Sequence, residues 1–258
     1  MAVPAILALD FDGVLCDGMR EYFESAWRAY RRLRPGAPPA PPVGLFQRFA
    51  RLRPLVETGW EMPVLIGALL AGASRASLAR DWRPEAWLAD VGGSREAVGD
   101  ALDRVRDEWI AGDEPGWLAS HVFYPGVIER LRGLAGGPAR IVVVTTKEGR
   151  FARKLLARQG VTLGDADVYG KEARRSKGTI LLELVAGGDA ARVWFVEDRL
   201  RTLEDVTREP ALDGARLFLA AWGYNTAADR AAAQRDGRIV LLSLDRFCGD
   251  FARWNVEN

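Results

Sequence analysis

The stretch ILALDFDGVLCDG, residues 6–18, places two carboxylates directly behind a short apolar run. An apolar run of this length predicts a strand that is buried in a parallel sheet. Asp10 and Asp12 lie two positions apart, so in an extended chain their side chains share a face and can meet one ligand. A turn explains the pair about as well, with Gly13 supplying a positive φ. The stretch alone leaves both interpretations open.

Further short apolar runs alternate with helical segments along the chain. We expect strands at 5–9, 141–144, 166–169, 193–196, 217–221 and 239–242, and helices at 125–134, 149–159, 177–185, 200–208 and 226–235. This alternation is typical of an α/β fold, a doubly wound parallel sheet of the Rossmann-like type.

The rhythm breaks between about residues 17 and 120, where no strand-like run occurs. Apolar positions there recur at helical spacing, for example Tyr22, Ala26, Ala29, Tyr30 and Leu33. We therefore expect an all-helical cap domain at 17–120, inserted into a core domain formed by 1–16 and 121–258. The proline-rich segment PGAPPAPP, 35–42, then forms a loop within the insert, with a linker as the alternative.

Composition excludes several classes of function. The chain of 258 residues has a net charge of +1, which gives no general attraction for nucleic acid or membranes. Two distant cysteines and one histidine, His121, argue against a disulfide framework, a zinc site and a histidine-based triad. We assign Cys16 and His121 no role beyond packing or a hinge. No apolar run is long enough to span a bilayer, and we expect a cytoplasmic protein.

Polar residues follow the second and third strands of the predicted sheet. Thr145 follows the second strand, and its spacing to Glu148 also fits a capping box that starts a helix. Lys177 begins the helix after the third strand, where the helix dipole disfavours a cation. Lys171 is the rival position for a functional lysine, and exposure to solvent would equally explain either one.

Glu197 and Asp198 follow the fourth strand as Asp10 follows the first. A helix cap is the alternative explanation for Asp198. If these carboxylates converge, each pair of charges at 4 Å repels by about 4 kcal/mol at an effective dielectric constant near 20. A hard divalent cation relieves that repulsion, and an all-oxygen site with few protein ligands favours Mg²⁺.

With these residues in place, the chain resembles the haloacid dehalogenase superfamily of hydrolases, in the branch with a helical cap after the first motif. The resemblance rests on DFDGV at 10–14, Thr145, Lys177, ED at 197–198 and FYPGV at 123–127. One position departs from the family pattern. The motif lysine is often followed by proline, whereas Gly178 follows Lys177 here. No cap motif matches.

The resemblance implies a role for each site residue. Asp10 is the nucleophile that forms an aspartyl-phosphate, and Asp12 is the general acid and base. The remaining roles are Mg²⁺ binding by Asp10, Asp12, Glu197 and Asp198, and phosphate binding by Thr145, Thr146 and Lys177. The expected substrate is a small phosphorylated metabolite.

The same residues bear on the other activities of this superfamily. Asp12 argues against dehalogenation, and the absence of lysine from the insert argues against phosphonate cleavage through a Schiff base. A sugar-phosphate mutase stays open as the alternative, as does a catalytically silent binding protein. A phosphoacceptor receiver domain is disfavoured by the length of the chain and by the insert.

The cap should select the substrate. Arg51 and Arg53 could meet an anionic group there, and Trp60 could stack on the substrate. A solvated helix face with a packed tryptophan is the alternative for the same segment.

Overall fold

The computed structural model describes residues 3–186 and 188–254. Their contacts form two compact units, a helical unit from Gly18 to His121 and a sheet unit made of the chain on either side of it. The predicted ends of the core domain, at 1–2 and 255–258, lie outside the described residues, as does Gly187.

The sheet unit is built on six parallel strands. These are β1 (Ile6–Leu9), β4 (Arg140–Val144), β5 (Val168–Tyr169), β6 (Val193–Glu197), β7 (Arg216–Ala220) and β8 (Ile239–Leu242). Their order across the sheet is β5-β4-β1-β6-β7-β8. The predicted α/β fold is confirmed, because the continuous apolar runs are strands whose side chains are buried.

Six helices of the described sheet unit precede, connect or follow these strands. They are α7 (Val127–Leu134), α8 (Gly149–Arg158), α9 (Lys177–Val185), α10 (Leu200–Thr207), α11 (Ala227–Arg235) and α12 (Leu244–Cys248). One apolar cluster joins the strands to α9, α10 and α11 through residues such as Phe195, Leu203 and Ile180. A second cluster packs Trp194 and Phe218 against Trp254 in the last turn of the described chain.

The strand order places the carboxyl ends of β4, β1 and β6 next to one another. Leu9 pairs with Val143 of β4 and with Val196 of β6. The chain runs outward from β1 through β4 to β5, and then returns to β6 on the other side of β1. Ligands of doubly wound folds bind where the strand order reverses in this way.

A short antiparallel pair marks where the chain leaves and re-enters the sheet unit. It consists of β2 (Cys16–Asp17) and β3 (Val122–Phe123), with Cys16 opposite Phe123 and Asp17 opposite Val122. No pattern in the sequence predicts this pair, because two residues per strand show no periodicity.

The helical unit contains α1 (Met19–Leu33), α2 (Leu45–Leu52), α3 (Glu61–Leu70), α4 (Arg75–Arg80), α5 (Leu88–Val91) and α6 (Arg95–Ala119). Helix α1 bears out the predicted amphipathic pattern, and the proline-rich segment is a loop before α2. Within α6 the backbone of Asp113 is not helical (φ −153°, ψ 68°), and Pro115 follows two residues later. Proline explains such a kink, because its ring cannot continue the hydrogen-bond pattern of a helix.

A partly buried ion pair holds α1 to α6 inside the helical unit. The Glu21 carboxylate accepts hydrogen bonds from Arg106 Nε at 2.7 Å and Nη2 at 3.1 Å, and from the Ser25 hydroxyl at 2.6 Å. Glu21 is only 1% exposed, so these donors replace the water that its charge would otherwise bind. Within the described chain, every helix is too short or too polar to cross a bilayer.

Candidate active site at the carboxyl edge of the sheet

One lysine bridges two buried carboxylates at the centre of the sheet edge. The Lys177 ammonium at the start of α9 lies 2.8 Å from Asp10 Oδ1 and 2.7 Å from Glu197 Oε2. Asp10 follows β1 directly and Glu197 ends β6, so adjacent parallel strands deliver the two acids to one place. The arrangement is a charge-assisted network in which one cation faces two anions.

Burial shifts the ionisation of this network. It raises the pKa of Asp10 to about 7, although the nearby Lys177 charge opposes the shift. Burial also raises the pKa of Glu197 above its ordinary value. Burial lowers the pKa of Lys177, but the charges of Asp10 and Glu197 more than offset that effect and the pKa lies above its ordinary value. The lysine therefore stays protonated at neutral pH.

Asp198 completes the acidic group and is fixed by its surroundings. Its Oδ2 accepts a hydrogen bond of 2.7 Å from the Tyr224 backbone N–H, and its carbonyl accepts one from Asn225 Nδ2 at 3.1 Å. Gly13 (φ +90°) and Gly223 pack so closely that a Cβ on either would collide with Asp198. Burial raises the pKa of this carboxyl group, and the nearby Asp10 charge adds to the rise.

The three acids form a cluster that could hold a metal ion. Asp10, Glu197 and Asp198 each offer a carboxylate oxygen, and these oxygens lie within 4.8 Å of one another. Three carboxyl groups therefore lie beside one ammonium, that of Lys177, which contacts Asp10 and Glu197. An all-oxygen donor set of carboxyl groups fits Mg²⁺.

The Glu197 carboxylate already has partners for both oxygens. Its Oε2 faces Lys177, and its Oε1 accepts the backbone N–H groups of Asp198 at 3.1 Å and Arg199 at 3.0 Å. Glu197 is completely buried. Its contacts suit a residue that fixes the lysine and the following loop rather than one that binds a metal directly.

Asp12 stands apart from the cluster and pairs with a lysine that the sequence did not single out. Its Oδ2 lies 3.3 Å from Lys147 Nζ. Among the described residues, no group donates a hydrogen bond to its buried Oδ1. Lys147 lies two residues beyond Thr145, and its position just after the end of β4 was the available signal.

Thr145 lies at the same edge, at the end of β4. It is buried, and its hydroxyl accepts the Lys147 backbone N–H at 3.1 Å. The alternative capping box is not formed, because α8 begins at Gly149, whose N–H binds the Glu172 carboxylate at 3.1 Å. Thr146, the other predicted phosphate ligand, is exposed.

The structure distinguishes the two candidate lysines. Lys177 is largely buried against Asp10, whereas Lys171 is an exposed residue of a 3₁₀ turn. Ser176 caps α9 by accepting the Thr179 N–H at 3.1 Å, which leaves Lys177 as the first helical residue. The geometry thus favours Lys177 over Lys171 as the functional lysine, a choice that the sequence left open.

The predicted substrate residues of the helical unit have different environments. Arg51 is exposed on α2. Arg53 donates to the Val56 carbonyl at 3.0 Å, and its guanidinium lies 4.8 Å from the centre of the Tyr22 ring. Trp60 is buried and packs with Val64, Val91 and Val98, so we correct the expectation of a stacking surface to one of core packing.

Comparisons with known proteins place the fold. No family model and no curated protein matches the sequence. A haloacid dehalogenase-like hydrolase from Streptococcus pneumoniae superposes with a TM-score of 0.57, at 15% identity over 94% of both chains. A structure described as a predicted phosphatase from Clostridium acetobutylicum gives a TM-score of 0.59, at 13% identity over 96% of this chain and 97% of that one.

A structure described as a predicted phosphoglycolate phosphatase from Haemophilus somnus gives a TM-score of 0.50, at 15% identity over 86% and 87% of the two chains. The resemblance inferred from the motifs is confirmed at the level of the fold. The chain has the fold of haloacid dehalogenase-like hydrolases over nearly its whole length.

Proposed function

We propose that the protein is a Mg²⁺-dependent phosphohydrolase that cleaves a small phosphorylated metabolite through an aspartyl-phosphate. The observation that carries the proposal is the Lys177 ammonium held between Asp10 and Glu197, with Asp198 beside them at the reversal of strand order. The names of the structural neighbours, which include hydrolases and phosphatases, support the same class of reaction.

In this mechanism Asp10 attacks phosphorus. The new bond joins an Asp10 carboxylate oxygen to phosphorus, and the bond from phosphorus to the leaving oxygen breaks. Asp12 gives its proton to the leaving oxygen. It then takes a proton from the water that attacks the aspartyl-phosphate, which releases inorganic phosphate and restores Asp10.

The other residues bind and orient. Thr145, Thr146 and neighbouring N–H groups bind the phosphoryl oxygens, and Lys177 balances their charge together with that of Asp10. Mg²⁺ would be held by Asp10, Asp198 and the Asp12 backbone carbonyl, with Glu197 acting through its partners. Once bound, the ion would neutralise charge on the phosphoryl group.

Specificity and location belong to the same proposal. Arg51 stays a candidate for contact with an anionic part of the substrate, because it is exposed, whereas Arg53 has partners within its own unit. The helical unit is proposed as the cap domain. We propose a cytoplasmic location, in keeping with two cysteines, Cys16 and Cys248, that form no disulfide.

The experiment is a phosphate-release assay with p-nitrophenyl phosphate and a panel of phosphorylated sugars, nucleotides and organic acids. Asp10→Asn should abolish Mg²⁺-dependent turnover. Lys177→Met should lower kcat by about 10²- to 10³-fold, the usual effect of removing one electrostatic stabiliser. Lys171→Met is the matched control and should stay within about threefold of wild type, because side-chain charge outside the site contributes little.

Metal-dependent hydrolysis that survives Asp10→Asn would contradict the aspartyl-phosphate. No turnover of any panel member by the wild type would favour the silent binding protein. Conversion of one sugar phosphate into its isomer, without net phosphate release, would favour the mutase.

A further inference from the structure

We infer that Lys147 is a positioning residue that holds the Asp12 carboxylate where it can serve the leaving-group oxygen. The inference rests on the proposed phosphohydrolase function and deepens it. It concerns a residue outside the set that the motifs pointed to.

The Lys147 side chain reaches Asp12 from a fixed segment of chain. Its ammonium lies 3.3 Å from Asp12 Oδ2, and its side chain is 9% exposed. Its backbone N–H donates to the Thr145 hydroxyl at 3.1 Å, and its carbonyl accepts the Lys171 N–H at 2.9 Å. Because the backbone N–H and the carbonyl of Lys147 are both hydrogen-bonded, its ammonium can hold the Asp12 carboxylate in a defined position.

Asp12 depends on this contact more than Glu197 and Asp198 depend on any single contact of theirs. Glu197 binds two backbone N–H groups as well as Lys177, and Asp198 binds the Tyr224 N–H. Within the described chain, the only side-chain partner found for Asp12 is Lys147 on Oδ2, and its Oδ1 has no hydrogen-bond partner. Lys147 therefore fixes Oδ2 of Asp12, while the buried Oδ1 receives no hydrogen bond from the described residues.

The chemistry of the leaving group separates positioning from simple charge. A general acid must lie within about 2.6–3.2 Å of the oxygen that it protonates. An alkoxide needs that proton as the bond to phosphorus breaks, whereas p-nitrophenolate is a stable anion that leaves without it. A misplaced Asp12 should therefore slow the hydrolysis of alkyl phosphates and leave the hydrolysis of aryl phosphates nearly unchanged. Loss of a charge that merely attracts phosphate should slow both alike.

The test compares kcat/KM for p-nitrophenyl phosphate and for the best alkyl phosphate of the panel, both with saturating Mg²⁺. For Lys147→Met we expect a loss of about 10- to 100-fold on the alkyl phosphate, the range for a displaced general acid. We expect a loss of less than about threefold on the aryl phosphate, because it needs no acid. Asp12→Asn should show the same selectivity more strongly.

Two controls complete the design. Lys154→Met removes an exposed lysine of α8 and should leave both rates unchanged. Lys147→Gln, which is shorter and polar, repeats the test if the methionine variant folds poorly, and a crystal structure of either variant should show Asp12 displaced.

Equal losses on both substrates, no loss on either, or an undisplaced Asp12 would overturn the inference while the wild type still hydrolyses phosphate esters. A wild type that hydrolyses neither class would overturn the proposed function, and the role of Lys147 with it.

Discussion

Without metal, the wild-type protein should be less stable than a variant with an uncharged residue at position 10, because the Asp10 carboxyl group is buried. The pKa of Asp10 is raised from its ordinary value of 3.8 to about 7 in the folded chain, chiefly because the group is buried. Each pH unit of such a difference is worth about 1.4 kcal/mol. At pH 7 without metal, Asp10→Asn should therefore raise the free energy of unfolding by about 4 kcal/mol.

The direction of the pH dependence follows from the same shift. The folded state holds the Asp10 proton more tightly than the unfolded state, so raising the pH from about 4 to 7 favours unfolding of the wild type. The Asp10→Asn variant has no titrating carboxyl group at this position. The stability difference between the two proteins should vanish near pH 4 and grow to its full size by pH 7.

The assay is urea denaturation with EDTA at several pH values between 4 and 8, followed by the same series with saturating Mg²⁺. Mg²⁺ should stabilise the wild type more than Asp10→Asn, because binding to the folded state alone adds stability and the variant lacks one of the proposed ligands. Asp245→Asn, in an exposed pair with Arg253, is the control and should shift stability by less than about 1 kcal/mol. If Asp10→Asn is no more stable than wild type at pH 7 in EDTA, the reasoning about a buried charge is refuted.

Two further predictions concern packing around charged groups. Gly13→Ala should weaken Mg²⁺ binding at least about tenfold by calorimetry, because a Cβ collides with the Asp198 carboxylate and the φ of +90° disfavours alanine. Unchanged affinity would contradict Asp198 as a proposed ligand. Arg106→Met should lower the free energy of unfolding by about 3 kcal/mol in urea, because it leaves the buried Glu21 charge without its main partner. A loss as small as that of Arg32→Met, which removes an exposed ion pair, would contradict this expectation.

Matched controls fix the scale of both predictions. Gly133→Ala adds a Cβ within α7 where no other atom lies within 4 Å, so it should leave metal affinity unchanged. Arg32 forms an exposed ion pair with Glu108, and Arg32→Met should cost less than about 1 kcal/mol.

The sheet could be predicted from sequence because each strand is buried on both faces. Such strands are continuous apolar runs that stand out between helical segments, as at β4 and β6. The acids at the ends of β1 and β6 were found for the same reason, since parallel strands bring their carboxyl ends to one edge. A helical insert at 17–120 could be proposed because that part of the sequence lacks any strand-like run.

Contacts between distant parts of the chain could not be predicted. The pairing of Lys147 with Asp12 and the support of Asp198 by Gly223 and Tyr224 depend on loops whose paths are set by the whole sheet. The sequence left open whether Trp60 stacks on a substrate or packs within the helical unit, because a single tryptophan among charged residues shows no period. Its burial comes from partners on other helices.

The choice of Lys177 over Lys171 shows where a local rule and the site disagree. A lysine at the first position of a helix is disfavoured by the helix dipole, and Ser176 already supplies the cap of α9. The Lys177 ammonium instead lies between Asp10 and Glu197, where it meets two buried charges within 2.8 Å. Those two contacts outweigh a dipole effect of about 0.3–1 kcal/mol. The position of Lys177, which the dipole of its own helix disfavours, is therefore explained by the acids at the ends of neighbouring strands. Such exceptions to local preference are expected at functional sites.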